Sequence, residues 1–308
     1  MKKSNFIYEE VIEALKSHAF EAWSLPRQDY GARGQDSGGS TPLHWAAYHG
    51  HLSQFHPQLL TEETLLLTDS LGRTPLHRAA YKGNLDQIPE RICSKKNLLK
   101  KSLHGSTALH SAAMGKNINQ LPRNIWDEET LSGARDSSGD SPLHLLCQTG
   151  QLPLLPNEQL TITMLLTRNK LGVTPFHWVA FRGELAHLPR NLLSERGFLQ
   201  KDGLKKTPLH WAANAHQLHL VPKKYLTIRT LLTEDKEKKT PLSQAIALND
   251  LPSLKNKIST EAIKDLTLWL SYPAGVSSEL GDFLKAELLK RRLLSEQFTR
   301  LAAQCQEL

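Results

Sequence analysis

The sequence predicts an all-α solenoid of stacked helix-turn-helix repeats joined by short hairpin loops, and three observations predict it. A Thr/Ser-Pro/Ala-Leu/Phe-His/Ser tetrapeptide starts at residues 41, 74, 107, 141, 174, 207 and 240, with spacings of 33, 33, 34, 33, 33 and 33. Self-similarity at one such period marks a repeat architecture. Leucine supplies 55 of the 308 residues, against 20 Phe, Tyr and Trp together, which suits a core built from small helices. Small residues follow the motif in most copies, as at Ala46-Ala47, Ala79-Ala80, Ala112-Ala113 and Ala212-Ala213, so neighbouring helices can approach closely.

Taken in order, residues 6–25 form an amphipathic segment carrying Phe6, Val11, Leu15, Phe20 and Trp23 between Glu and Lys. It is assigned, within residues 1–40, as an N-terminal capping repeat, because an array needs end units with polar outer faces. Seven repeats occupy residues 41–272. In each, Thr or Ser is a natural N-cap whose hydroxyl accepts from a first-turn N–H. Pro follows with φ preset for the first helical turn and no amide to leave unpaired. Gly50, Gly83, Gly150 and Gly183 end the first helix in four copies. The second half of each unit is interrupted by Pro57, Pro89, Pro122, Pro156, Pro189 or Pro222, and a mid-helix Pro costs ~3 kcal/mol. A cap residue then appears (Thr61, Ser94, Asp127, Thr161, Ser194, Thr227, Ser259), followed by apolar residues such as Leu65-Leu66 and Leu98-Leu99. This reads as a second helix cut short, then an extra capped turn covering the outer side of the core; the alternative is one kinked helix. Residues 273–308 close the stack as C-terminal capping helices opening at Ser277-Ser278-Glu279.

Thr-Pro-Leu-His-x-Ala-Ala-x-x-Gly-His/Asn-Leu, as in residues 41–52 and 74–85, resembles the ankyrin repeat, and Asp69-Ser-Leu-Gly-Arg-Thr74 resembles the turn of its finger-like hairpin. The resemblance covers about residues 36–260. It implies a concave face made of first helices and fingers, and a structural role for the motif histidines His44, His77, His110, His144, His177 and His210, whose rings would bond to adjoining loops. It also implies that partners are held by hairpin residues and by the pair before the Gly ending the first helix. Carried onto this chain, those positions give Tyr48, His49, Arg73, Tyr81, Lys82, Met114, Phe181 and Arg182. For Tyr and Phe here, packing against the next repeat is an equal alternative.

The remaining composition narrows the chemistry. Net charge is +7 and five of the surplus charges lie in residues 201–308. Lys201, Lys205 and Lys206, then Lys236, Lys238 and Lys239, form a basic ridge on the last two hairpins, softened by Asp202, Glu234, Asp235 and Glu237. Consecutive fingers are expected about 10 Å apart, one helix-packing distance. An acidic protein partner is expected; nucleic acid is disfavoured because no aromatic stacking residues are interleaved. Cys93, Cys147 and Cys305 form no CxxC pair or disulfide framework, and Cys147 stands where Ala is usual, a buried small residue. His49, His51 and His56 lack the Cys or carboxylate partners of a tetrahedral zinc site, so no metal and no cofactor are expected. No phosphate loop, HExxH or GxSxG occurs, and no catalytic residue is assigned. No apolar run of ~18 residues spans a membrane, and Glu9, Glu10 and Glu13 interrupt any signal-peptide core. The expectation is a monomeric cytoplasmic binding scaffold with no small-molecule substrate. An inhibitor or immunity-type protein, or an effector exported without an N-terminal signal, stays open.

Overall fold

The computed structural model describes residues 12–13 and 34–248; the N-terminal segment, the last repeat beyond Leu248 and the C-terminal capping helices fall outside the described residues. Each motif opens a short helix one residue after its Thr or Ser: α1 (Pro42–His49), α3 (Pro75–Lys82), α5 (Ala108–Gly115), α6 (Pro142–Thr149), α8 (Pro175–Arg182), α10 (Pro208–Asn214) and α12 (Pro241–Ala247). The outer segments contribute four-residue helices α2 (Glu62–Leu65), α4 (Lys95–Leu98), α7 (Ile162–Leu165), α9 (Glu195–Phe198) and α11 (Ile228–Leu231). No strand occurs among the described residues, and no helix there is long and apolar enough to cross a membrane. The fold is an all-α ankyrin-type solenoid. The chain divides into two compact units, residues 1–179 with 187–192, and residues 180–186 with 193–308. In the first, α1, α3, α5 and α6 pack in sequence; in the second, α10 packs on α12.

The Thr-His pair does more than cap. The His44 Nδ1 accepts from the Thr41 amide at 3.1 Å and faces its hydroxyl at 2.8 Å. Its Nε2 lies 2.9 Å from the Arg73 carbonyl. A carbonyl only accepts, so the ring is the neutral Nε2–H form and the Thr hydroxyl donates to Nδ1. His77, His110 and His144 reach the carbonyls of Ser106, Asp140 and Val173 in the same way, and His210 reaches Lys239. Each ring therefore ties its helix start to the next repeat. Burial depresses the rings of His44, His77 and His144 to a pKa of about 4, against the partial opposing pull of those carbonyls.

Amide side chains make the second set of ties. Gln120 receives the Leu85 amide and donates to the Gly83 carbonyl; Gln151 donates to the Ala113 carbonyl at 2.6 Å; Asn84 and Asn117 donate to the Ala47 and Tyr81 carbonyls. Between these ties Leu43, Leu76, Leu109, Leu143 and Phe176 are fully buried, as are the following Ala pairs and Cys147.

The outer segment differs from the expected truncated helix. It is not α-helical before the Pro at all, but a single 3-10 turn such as Leu85–Gln87. Pro89 is then extended (ψ 129) and opens a second 3-10 turn, Glu90–Ile92. The fixed φ and missing amide of Pro end one short turn and start another. The capped turn after it is present as expected: Thr61, Ser94, Thr161 and Ser194 accept from the backbone N–H three residues on. The exception is Glu129–Gly133, a π turn capped by Asp127. Leu65, Leu98, Leu131, Leu165, Phe198 and Leu231 are each fully buried, which covers the outer side of the core.

Candidate functional site

Most of the hairpins are built on one side-chain carbonyl oxygen, in all but one case that of an Asp carboxylate. Asp69 Oδ1 accepts from the amides of Leu71 and Arg73, which closes the turn. Asp36, Asp136, Asn169, Asp202 and Asp235 do the same in their own hairpins. Each tip then needs a left-handed residue, and Gly39, Gly72, Gly105, Gly139 and Gly172 supply it. Lys205 (φ 60) and Lys238 (φ 59) stand at that position in the last two hairpins. Leu103 N–H donates to the Leu71 carbonyl at 2.9 Å, and Lys236 N–H to the Leu204 carbonyl at 3.0 Å, so neighbouring tips touch. The reason is the bare Gly: a Cβ on Gly72 would stand 2.7 Å from the Leu103 nitrogen.

On the inner helices, positions i, i+3 and i+4 share one face. In the first unit this face gathers Trp45, Tyr48 and His49 from α1 and Arg78, Tyr81 and Lys82 from α3. The Trp45 ring stacks on His49 at 6.1 Å and meets Tyr48 edge-on at 6.3 Å. Lys82 Nζ lies 4.5 Å over the Tyr48 ring and 5.9 Å from that of Tyr81. Arg78 lies 4.8 Å over the Trp45 ring. Tyr81 keeps 40% of its surface and Met114, one repeat on, 57%. Arg73 is committed within its hairpin, 2.9 Å from Asp69. In the second unit Phe181 meets Trp211 edge-on at 6.1 Å and Arg182 is exposed. Lys205, Lys238 and Lys239 are exposed and Lys206 half-buried; Lys239 pairs with Glu237 at 2.7 Å.

Sequence reasoning missed the residue directly after the motif His in three repeats. Trp45 Nε1 donates to Asp36 at 3.0 Å, Arg78 to Asp69 at 3.0 Å and Trp211 Nε1 to Asp202 at 3.1 Å. This row ties the inner helix to its own hairpin through the carboxylate oxygen the turn leaves over. Burial pushes the Asp69 carboxyl up, but the Arg73 amide and the Arg78 guanidinium outweigh it and hold it below the usual range. A signal was available, since three of the six Trp residues, Trp45, Trp178 and Trp211, fall at this one repeat position.

The family model described as Ankyrin repeats (3 copies) matches residues 9–90. No curated protein matches the chain. Beyond the matched span, residues 102–248 carry the same hairpin turn, the same capped helix start and the same inward helix face, so the ankyrin-type pattern continues past the residues that the family model matches.

Proposed function

We propose that the chain is a non-catalytic docking module that holds a partner protein on its inner-helix and finger face. Ankyrin repeats are generally protein–protein interaction modules. The observation that carries the reading for this chain is the array of Trp45, Tyr48, Arg78, Tyr81 and Lys82. Rigid rings and cations dominate interface energies, and here they hold each other in place on adjacent helices while Tyr81 and Met114 stay open. The interlocking cations and rings bury area and place charge; they present no nucleophile next to a base. The lysines of the last two fingers favour an acidic partner, raising its association rate more than its final affinity.

Affinity purification with cross-linking provides the test. A partner retained by the wild-type chain should be lost with Tyr81→Ala at unchanged melting temperature. Lys205→Glu with Lys206→Glu should slow association at low salt, and the difference should fade at high salt, where screening shortens to ~3 Å at 1 M. Retention by Tyr81→Ala, with loss on changes to the outer leucines, overturns the assignment.

A further inference from the structure

A recess of 420 Å³ lies in the second unit between α10 and α12, lined by Lys206, Lys239, Asn214, Gln244, Ala247 and Leu248. Its origin is a substitution in the row that ties helix to hairpin. In three earlier repeats Trp or Arg follows the motif His or its equivalent position and donates to the hairpin carboxylate. Here the residue is Gln244. Asp235 still closes its turn through Oδ1, but its Oδ2 is buried without a donor, and so is Gln244 Oε1. The bond that Trp211 makes to Asp202 is therefore not made one repeat later. The next row holds Asn214 and Ala247 where the first unit has Tyr48 and Tyr81, so no ring fills the space.

The surroundings of the recess are basic and rigid. Lys239 is fixed at both backbone ends, its amide by Asp235 and its carbonyl by His210. Lys205 and Lys238 sit at fingertips in a backbone conformation that Gly adopts freely and Lys adopts at a cost. Strain of this kind persists where the side chain is needed. Asp202 and Asp235 are buried in their own turns and Glu237 pairs with Lys239 at 2.7 Å, so Lys205, Lys236 and Lys238 outnumber the remaining exposed carboxylate, Glu234. Leu204, 55% exposed at its tip, adds an apolar contact beside them.

We infer that this recess is a subsite for one large neutral side chain, an indole above all, carried on an acidic segment of a partner protein. Ala247, Leu248 and the aliphatic stems of Lys206 and Lys239 take the ring, and Lys205 and Lys238 at the fingertips take the carboxylates flanking it. An arginine would meet the lysines and be repelled. The inference rests on the docking reading but concerns the second unit alone, whereas Tyr81 belongs to the first.

The test uses the full chain and two blocked synthetic peptides, Glu-Glu-Trp-Glu-Glu and Glu-Glu-Ala-Glu-Glu. The Trp peptide is expected to bind about tenfold more tightly. Gln244→Trp should fill the recess from within, abolish that advantage and raise the melting temperature by supplying the missing donor to Asp235. Lys205→Gly with Lys238→Gly should weaken both peptides without lowering the melting temperature. Should Gln244→Trp fail to fold, Ala247→Leu narrows the recess from an exposed position and must abolish the same advantage. Equal binding of the two peptides, or an advantage that survives in the filled variants, overturns the subsite. So does tighter binding of an oligothymidine that the Trp peptide fails to displace. Tyr81→Ala should leave peptide binding intact, so a natural partner lost on Tyr81→Ala while the peptides never bind would sink the recess and spare the docking face.

Discussion

Two adjacent residues obey opposite rules. A Cβ on Gly115 would stand 1.8 Å from the Tyr81 carbonyl oxygen, an oxygen that also accepts from Asn117 at 2.8 Å. Neither backbone can yield without losing that tie. Gly115→Ala should therefore lower stability by ~2 kcal/mol or more, read as a fall in the urea midpoint at unchanged slope. Its neighbour Lys116 is left-handed at φ 62, where α1 and α3 end on Gly50 and Gly83. Lys116→Gly should raise stability by up to ~1 kcal/mol, the steric relief exceeding the added freedom of the unfolded chain. A midpoint that moves the same way in both variants would contradict this account. The sequence shows a Gly at 115 and a Lys at 116, one residue out of step with the other repeats. Which of the two is sterically required depends on the neighbouring repeat's backbone, and no local pattern records that.

In the outer segment, the prolines and caps were legible and the turn type was not. Pro at one position per repeat excludes a continuous helix, but a broken α-helix and a pair of 3-10 turns leave the same trace in sequence. A further device was missed there. In four of the capped turns the third residue after the cap reaches back five residues: Asn97 donates to the Ile92 carbonyl at 3.1 Å, Thr230 to Tyr225 at 2.6 Å, Thr64 to Leu59 and Thr130 to Ile125. These carbonyls belong to the 3-10 turns, so the device joins the two halves of the outer segment. Thr230→Val keeps the shape and removes the donor. It should cost ~1–3 kcal/mol, the price of an unpaired buried carbonyl, whereas Thr230→Ser should cost far less. Equal melting temperatures for the Val and Ser variants would show the bond to be dispensable.

For the molecule as a whole, the motif histidines set the response to acid. Folded, three of the rings titrate at about 4; unfolded, they titrate near 6.5. Between those values the unfolded chain binds protons that the folded chain refuses, so stability falls as pH drops from 6.5 towards 4. Each ring contributes up to ~1.4 kcal/mol per pH unit in that window and nothing outside it. The urea midpoint should be level from pH 7 to 8 and fall steeply below 6; a midpoint level down to pH 5 would contradict the neutral-ring assignment. The helix starts could be read from the motif, because the Thr or Ser cap and its His lie within one repeat; the bond from each ring to the next repeat was implied by the resemblance and not by the motif itself. The rows on the inner helices were half visible. The pairs at the helix ends were found by resemblance, while Trp45, Arg78 and Trp211 gain their meaning only from the hairpin carboxylate nine residues earlier.

The ties between repeats have one more consequence. The described hydrogen bonds that cross from one repeat to another join residues 29 to 38 apart, from His44–Arg73 to Arg78–Ser40. That reach is about a tenth of the chain, a separation characteristic of fast-folding helical proteins. No distant partner has to be awaited. As the chain leaves the ribosome, each new repeat can dock on its predecessor once its own ~33 residues have emerged. Acquisition of structure can therefore keep pace with synthesis, and the apolar edge open to aggregation at any moment is that of a single repeat.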